Sequence, residues 1–285
     1  MGVPVLAGDA VARHGGSGRL TPGVRRPQSR LERVSAAITY HHRVYLRTWR
    51  GTLIGRFASP LFFLAAMGLG LGGLVDDQVG GIDGVPYLQY VAAGILAMQA
   101  MWLAFGESTY PVMTYIRWNQ MYAGMLATPL SVVEVLLGHL AYVAFHLATT
   151  SAIFVVVGAI FGAFTSPWVL LAIPVSVLLG LAFAVPMFAF SAHIDNDNAF
   201  ALVFRFLVTP VMLFSGVFFP VDQLPALLQP MAWALPLWHG VELVRAVSGG
   251  LALTAVDLGH VAVLAAYVGV GWVLARRSFA KRLAS

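Results

Sequence analysis

A chain of 285 residues that is 59% hydrophobic and only 10% charged falls well below the roughly one-quarter charged content of soluble domains, and its mean hydropathy of +0.81 argues for a polytopic membrane protein. The absence of cysteine excludes a disulfide framework, a thiol nucleophile and a thiolate metal site. The net charge of +5 is segregated: ten of seventeen basic residues lie between Arg13 and Arg56, and Arg276, Arg277, Lys281 and Arg282 come at the other end, a pattern that reads as positive-inside topology with both termini cytoplasmic and no nucleic-acid partner.

Residues 1–30, rich in Gly, Pro, Ser and Arg, read as a disordered basic cytoplasmic tail. Over 31–54, Val34, Ile38, Tyr45 and Trp49 recur at helical spacing while Arg43, Arg47 and Arg50 share another face. This predicts an amphipathic helix in the cytoplasmic headgroup layer, with His41-His42 on its interfacial face. A membrane domain follows over 55–277. Its first span is expected at 57–75, with Gly68 and Gly72 spaced for close helix approach. Asp76, Asp77 and Asp83 then mark an outside loop, and a second span follows at 87–105. Residues 107–131 mix Glu107, Pro111, Arg117, Asn119, Gln120 and Pro129, which predicts a cytoplasmic excursion carrying a short helix. Spans three and four are expected at 132–161 and 168–192, separated by an outside turn. His193 to Asn198 form a polar cytoplasmic turn, a fifth span runs over 199–219 and a last one over 256–275. Six spans agree with two cytoplasmic termini.

Between the fifth and last spans, residues 214–240 are almost as apolar as a span, yet Pro220, Pro225, Pro230 and Pro236 interrupt them. Each proline removes a backbone donor, so a lipid-exposed crossing here would leave too many carbonyls unpaired. The segment therefore reads as an outer re-entrant hairpin, with Asp222 able to cap a short helix. His239, Glu242 and Arg245 follow at i,i+3 spacing and read as a polar pairing rather than a metal site.

Ionisable groups at membrane depth are Glu107, Glu134, His139, His146 and Arg205. The histidines read as neutral imidazoles hydrogen-bonded between helices, and Arg205 as a partner for Glu134, Glu107 or Asp197. A phosphate-binding P-loop requires Gly-Lys followed by Ser or Thr. Lys281 stands between Ala280 and Arg282, so this sequence supplies no P-loop and is expected to bind no cofactor; any ATP and Mg it uses must sit on a partner chain. There is no Gly-x-Ser-x-Gly elbow and no familiar catalytic metal spacing, so the chain reads as a transport subunit rather than an enzyme.

Phe214-Ser-Gly-Val-Phe-Phe-Pro220, then Leu224-Pro225, Leu228-Gln229, Leu235-Pro236 and His239 resemble the C-terminal signature of type-2 ABC exporter permeases. Nodulation-type lipooligosaccharide exporters and daunorubicin-resistance permeases are similar. So are Pro60 to Phe63, Gly68 to Gly73, Tyr90 to Gly94, Glu107 to Tyr110 and Ala127 to Ser131. The resemblance implies an all-α, six-span, multi-pass permease of the plasma or inner membrane. It implies pairing with a second copy or paralogue and with two ATPase subunits. It places coupling to the ATPase at Tyr115, Arg117, Trp118, Asn119, Gln120 and Met121. It places an exit gate at Phe214, Ser215, Gly216, Phe218, Phe219, Pro220, Leu224, Pro225, Pro236 and His239. The implied cargo is amphipathic: a glycolipid, a lipid-linked saccharide or a hydrophobic drug, reaching the site from membrane lipid. The alternatives are a non-transporting anchor for an ATPase and a proton-coupled carrier.

Overall fold

The computed structural model describes residues 29–82, 84–250 and 254–283. The tail over 1–28, Asp83, and the side chains of Arg47, Trp49, Arg50, Pro60 and Gly68 lie outside the described residues. The fold is all-helical, with no strand among the described residues beyond an isolated antiparallel bridge of Ile82 and Val85.

Helix α1 (Arg30–Ala65) opens on a capping box in which Ser29 Oγ accepts from the Glu32 N–H and the Glu32 carboxylate accepts from the Ser29 N–H at 2.7 Å. It continues through a π-helical stretch (Ala66–Gly72) into α2 (Gly73–Val79). The sequence suggests a headgroup helix followed by a separate span; the structure has one helical run. Gly51 and Gly55, between the two blocks, cost roughly 1 kcal/mol each against alanine, too little to end a helix favoured on both sides. Asp76 Oδ1 accepts from the Tyr87 N–H at 2.8 Å and so satisfies an orphan donor at the start of α3 (Tyr87–Ser108).

The excursion expected over 107–131 is shorter than the sequence suggests. After Thr109 the chain resumes as α4 (Tyr110–Met113) and a π-helical stretch (Thr114–Trp118), forming one apolar segment, Tyr87–Trp118. At the kink, two hydroxyls bond their own helix: Ser108 Oγ donates to the Ala104 carbonyl, and Thr109 Oγ1 donates to the Phe105 carbonyl at 2.8 Å. A hydroxyl bonded to its own helix is tolerated at membrane depth. The chain turns only at Asn119, passes through α5 (Met121–Leu126), and re-enters as α6 (Val132–Ile160).

A 3₁₀ turn (Pro167–Leu171) leads into α7 (Ala172–His193). Then come α8 (Asn198–Val203), a π-helical stretch (Phe204–Val208) and α9 (Thr209–Phe214). A 3₁₀ turn (Val221–Gln223), α10 (Gln229–Ala234), α11 (Pro236–Ser248) and α12 (Ala255–Leu283) complete the fold. Among the described residues, five segments are long and apolar enough to cross a membrane: Leu61–Gln78, Tyr87–Trp118, Val132–Ile160, Pro167–His193 and Ala255–Leu283. Asn198–Phe214 is apolar but shorter, spanning about 25 Å at 1.5 Å per residue against a hydrocarbon core of about 30 Å.

Helices α3, α6, α7 and α12 form the centre, with α1 laid along α6 and α11 wedged among α3, α7 and α12. Leucine gains little by moving from lipid to protein, so close backbone approach matters more than apolar burial here. A Cβ on Gly138 of α6 would lie 2.5 Å from the Ala37 Cβ of α1, so only glycine allows this contact. One end of the bundle gathers α5, the start of α6 and the ends of α7 and α12. The other gathers the starts of α3 and α12 with α10 and α11. These are called the α5 end and the α11 end.

Candidate functional site

At the α5 end, Ser131 and Glu134 form a second capping box: the Ser131 N–H donates to Glu134 Oε2 at 2.8 Å, and Ser131 Oγ accepts from the Glu134 N–H at 3.4 Å. The other oxygen of Glu134 accepts from Arg33 Nε at 2.9 Å. One carboxylate thus fixes the start of α6 and the first turn of α1. Asp195, in the turn after α7, is a second junction. Arg117 donates to its carbonyl and, at 2.8 Å, to Oδ1; Arg282, near the end of α12, donates to the same oxygen at 2.9 Å. Residues Arg117 to Gln120 stand exposed at the tip, with Trp118 66% accessible. Gln120 adopts the left-handed conformation at φ 47°, a strained setting for a residue with a Cβ. A cleft of 810 Å³ lies between this tip and α1, lined by Arg33, Ala37, Tyr40, Gln120, Met121 and Met125 among others.

Beneath the tip, α5 inserts one fully buried side chain, Tyr122. Its hydroxyl lies 2.6 Å from His139 Nδ1 of α6. Burial pushes the phenol pKa well above its usual value, so Tyr122 is the donor and His139 the acceptor. The Tyr122 ring meets Tyr115 edge-on at 5.6 Å and Phe279 of α12 at 5.5 Å. His139 stacks on His41 of α1 at 4.7 Å and packs edge-on to Phe188 of α7 at 4.9 Å. Farther along α6, His146 Nδ1 lies 2.7 Å from Glu107 Oε1 of α3. A single aromatic and imidazole cluster therefore joins the α5 tip to α1, α3, α6, α7 and α12.

At the α11 end, prolines sit where helices begin: Pro230 in the first turn of α10 and Pro236 at the start of α11, where their missing N–H groups would lack partners anyway. Phe214, Phe219, Leu228 and Trp238 close over buried Val221, Leu224 and Ala232 as a small separate cluster, while Phe218 packs on the main core. Ser215 is buried, Pro220 half-buried and Pro225 exposed. Gln229 Nε2 donates to the carbonyls of Asp222 and Leu224 at 3.1 and 2.9 Å. Arg245 of α11 donates to the Gly216 carbonyl at 2.5 Å and to Glu242 at 3.1 Å, with its guanidinium 3.7 Å over the Tyr90 ring of α3. A Cβ on Gly94 would lie 2.4 Å from the Val217 carbonyl oxygen, so α3 grips this turn through a bare backbone. His239 Nδ1 lies 2.7 Å from His260 Nδ1 of α12.

The structure rearranges several expected pairings. Glu134 meets Arg33 and Glu107 meets His146, whereas Arg205 is exposed and forms no ion pair among the described residues. It stands about two turns into the apolar segment Asn198–Phe214, on its exposed face. His41 is buried rather than interfacial, because Gly138 lets α1 approach α6 closely enough to stack the two rings. Asp222 makes no side-chain cap. His139 and His146 do bond between elements, and Glu242 does pair with Arg245. Of the tip residues, Tyr115 faces inward and Met121 is half-buried, while Arg117, Trp118, Asn119 and Gln120 face out. Tyr122, Asp195 and Arg33 were not singled out from the sequence. Tyr122, Met125 and Leu126 fall at i, i+3 and i+4, and that spacing is the signal for a buried face on α5.

An all-helical bundle with several apolar membrane segments, a polar tip at one end and two proline-started helices at the other is a multi-pass membrane protein. Residues 32–248 match the family of ABC-2 type transporters, and the chain belongs to that family. It is 34% identical over 232 residues to nodulation protein J of Rhizobium leguminosarum bv. trifolii, covering 81% of this chain and 87% of that one. It is 33% identical over 231 residues to nodulation protein J of Sinorhizobium fredii, covering 79% and 86%. The chain is thus a transport subunit of the ABC class rather than its ATPase.

Proposed function

We propose that this chain is the membrane-spanning subunit of an ATP-driven exporter of an amphipathic cargo, working as a pair with a second permease and two ATPase subunits. In this reading the α5 end faces the cytoplasm. Arg33, Arg117, Lys281 and Arg282 gather there, while Asp76, Asp77 and Asp222 lie toward the other end, in keeping with the positive-inside rule. Asn198–Phe214 is then the remaining crossing, and α10–α11 form the outer hairpin.

The observation that carries the proposal is the build of the α5 tip. Its outward residues mix charge, an aromatic and amides beside a large cleft, as a partner-binding surface does. Its inward residue, Tyr122, is locked to helices that run to the far end. A push on the tip therefore has a solid path into the membrane domain.

The native chain has no cysteine, so single cysteines at 117–122 and 124 give a clean crosslinking scan against the ATPase. Crosslinks clustered at the outward positions and absent at Tyr122 are expected. A blank across the window, with the ATPase present and active, rules the coupling assignment out. Loss of vesicle export when the ATPase Walker lysine is replaced separates the exporter from a proton-driven carrier; absence of export in every arm leaves a scaffold.

A further inference from the structure

At the α11 end, two buried imidazoles join α11 to the last helix. His239, in the first turn of α11, and His260, in the second turn of α12, face each other with Nδ1 2.7 Å from Nδ1. Trp238 packs edge-on to both rings, at 4.9 Å and 5.0 Å. A hydrogen bond between two ring nitrogens exists only while one carries a proton and the other does not. Few other ionisable groups surround the pair. On α12, the Asp257 carboxylate accepts from the Thr254 N–H and hydroxyl, and Tyr267 donates to the Ala234 carbonyl. On α11, Glu242 pairs with Arg245, whose guanidinium covers Tyr90 of α3; Tyr87 is the other tyrosine at that end of α3. Helix α7, packed on both α11 and α12, has His193 as its only ionisable side chain, at the α5 end, and α10 has none. Glu134, His139 and His146 of α6 lie away toward the α5 end, where they have their own partners.

We propose that His239 and His260 form an acid-released latch, which ties the start of α11 to α12 and frees α10 and that first turn when both rings are protonated. The neutral pair holds one proton between the two Nδ1 atoms. His260 lines a cavity of 410 Å³ together with Asp257 and Glu242, so the first added proton goes to its Nε2. The bond survives, with His260 Nδ1–H donating to His239 Nδ1. The second proton has only that accepting Nδ1 left, and there it sets N–H against N–H and cation against cation. Burial, and then the charge of His260, hold the His239 pKa below its ordinary 6.5, with a backbone hydrogen bond to Trp233 opposing them. The latch is therefore closed at neutral pH and is lost as pH falls, the sense in which histidine pairs switch interfaces. The rest of α11 stays seated. A Cβ on Gly240 would lie 2.3 Å from Leu179 Cδ2 of α7, and Arg245 holds the Gly216 carbonyl. The remaining tie, from Tyr267 to Ala234, is exposed, where water competes for it. The latch stands on this geometry; that the acid acts from outside the cell rests on the exporter reading, which puts the α11 end there.

The test uses the full chain in lipid nanodiscs, carrying Met231→Cys on α10 and Leu258→Cys on α12, both at exposed positions of a chain with no native cysteine. Spin labels at the two sites report their separation from about pH 7.5 to about pH 4.5, a range that brackets the ordinary imidazole pKa of about 6.5. One distance population is expected near neutrality, and a second, longer one should become the major one in acid, with its midpoint below 6.5. His239→Gln and His260→Gln each supply an amide that turns to donate or accept as its partner's proton requires, so both should keep the single population throughout. An unchanged distance in the parent protein, or a second population that either glutamine variant still shows, overturns the latch. Protein with ¹⁵N-labelled histidine and both rings intact gives an independent reading. A nitrogen–nitrogen coupling across the Nδ1–H–Nδ1 bond should be present near neutrality and vanish as the long population grows; its absence at neutral pH overturns the latch as well. The side is scored separately in proteoliposomes, by labelling the cysteine at position 231 with a membrane-impermeant maleimide. A working latch labelled from the ATPase face defeats the exporter orientation alone. Labelling from the opposite face with no acid response defeats the latch alone.

Discussion

Replacing Tyr122 with phenylalanine removes one oxygen from the centre of the cluster and nothing else. The ring still meets Tyr115 and Phe279, but His139 Nδ1, 2.6 Å from the lost hydroxyl, is left buried without a partner. An unsatisfied buried acceptor costs about 1–3 kcal/mol. Replacing both residues, as Tyr122→Phe with His139→Phe, removes donor and acceptor together and should recover much of that loss, so a double-mutant cycle should show coupling of about 1–2 kcal/mol. Tyr122→Ala also empties the ring's site and should cost about 3–5 kcal/mol. Thermal unfolding in nanodiscs gives the stability terms, and cargo-stimulated ATP turnover of the assembled transporter gives the functional one. If Tyr122 transmits the motion of the tip, Tyr122→Phe should keep ATPase binding and basal turnover but lower export per ATP. Strictly additive stabilities, or a fall in ATPase binding with export per ATP unchanged, would refute the transmission role and leave Tyr122 a packing residue.

Three further outcomes follow from the same geometry. Glu134→Ala removes a capping box and an ion pair at once and should destabilise by about 1–3 kcal/mol in the same unfolding assay; swapping the charges of Arg33 and Glu134 should rescue only in part, because arginine at 134 cannot accept the Ser131 N–H. Gly94→Ala puts a Cβ about 2.4 Å from the Val217 carbonyl, so the turn must shift, at a cost of about 1–3 kcal/mol, and protease cutting within 215–225 should speed up while the rest of the fold is retained. Burial, reinforced by nearby His146 and opposed by the charge of Glu107, lowers the His41 pKa to about 4. The unfolded chain, titrating near 6.5, then binds the proton that the folded chain refuses, so stability falls as pH drops from about 6.5 towards 4, by on the order of 3 kcal/mol, and His41→Phe should flatten that part of the curve.

Much of the frame was legible because long apolar runs bounded by capping residues leave few choices. The runs expected at 132–161 and 168–192 appear as Val132–Ile160 and Pro167–His193, the first started by the Ser131 and Glu134 pattern that any reader of capping boxes would mark. The last span begins within a residue of expectation but runs on to Leu283, since Arg276, Arg277, Lys281 and Arg282 carry the helix past the apolar stretch. What stayed hidden was long-range. Nothing local in His41-His42 says that the first ring will stack on His139, or that Arg33 will find Glu134 a hundred and one positions away. Glu107, Pro111 and Arg117 read as an excursion in sequence, because composition cannot show that the helix resumes after Thr109, with the Ser108 and Thr109 hydroxyls bonded to it. The short helix α5 hid its buried tyrosine among residues read only for their outward chemistry.

The two ends of the molecule are joined by elements that touch both. Helix α12 carries Phe279 against Tyr122 and Arg282 on Asp195 at the α5 end. At the α11 end the same helix carries His260 against His239, and Tyr267 donates to the Ala234 carbonyl at 2.9 Å. From His260 to Phe279 is about 28 Å of unbroken helix. Helix α3 repeats the arrangement, with Glu107 bonded to His146 near one end and Gly94 and Tyr90 against the turn at 215–217 and Arg245 near the other. Such helices do not stretch, so a displacement at one end must appear at the other as a shift or rotation of the whole rod, unless the packing between rods gives first. It resists giving: a Cβ on Gly271 of α12 would lie 2.6 Å from Pro186 Cδ of α7, the mark of two helices already in full backbone contact. The weak points lie elsewhere, in the π-helical stretches Ala66–Gly72, Thr114–Trp118 beside the tip and Phe204–Val208 in the helix before the turn at 215–217. Each has a widened hydrogen-bond register that can tighten to α at little cost, and such stretches recur at functional hinges. A displacement of one rod would be taken up first at these three stretches, where the helical register already departs from α.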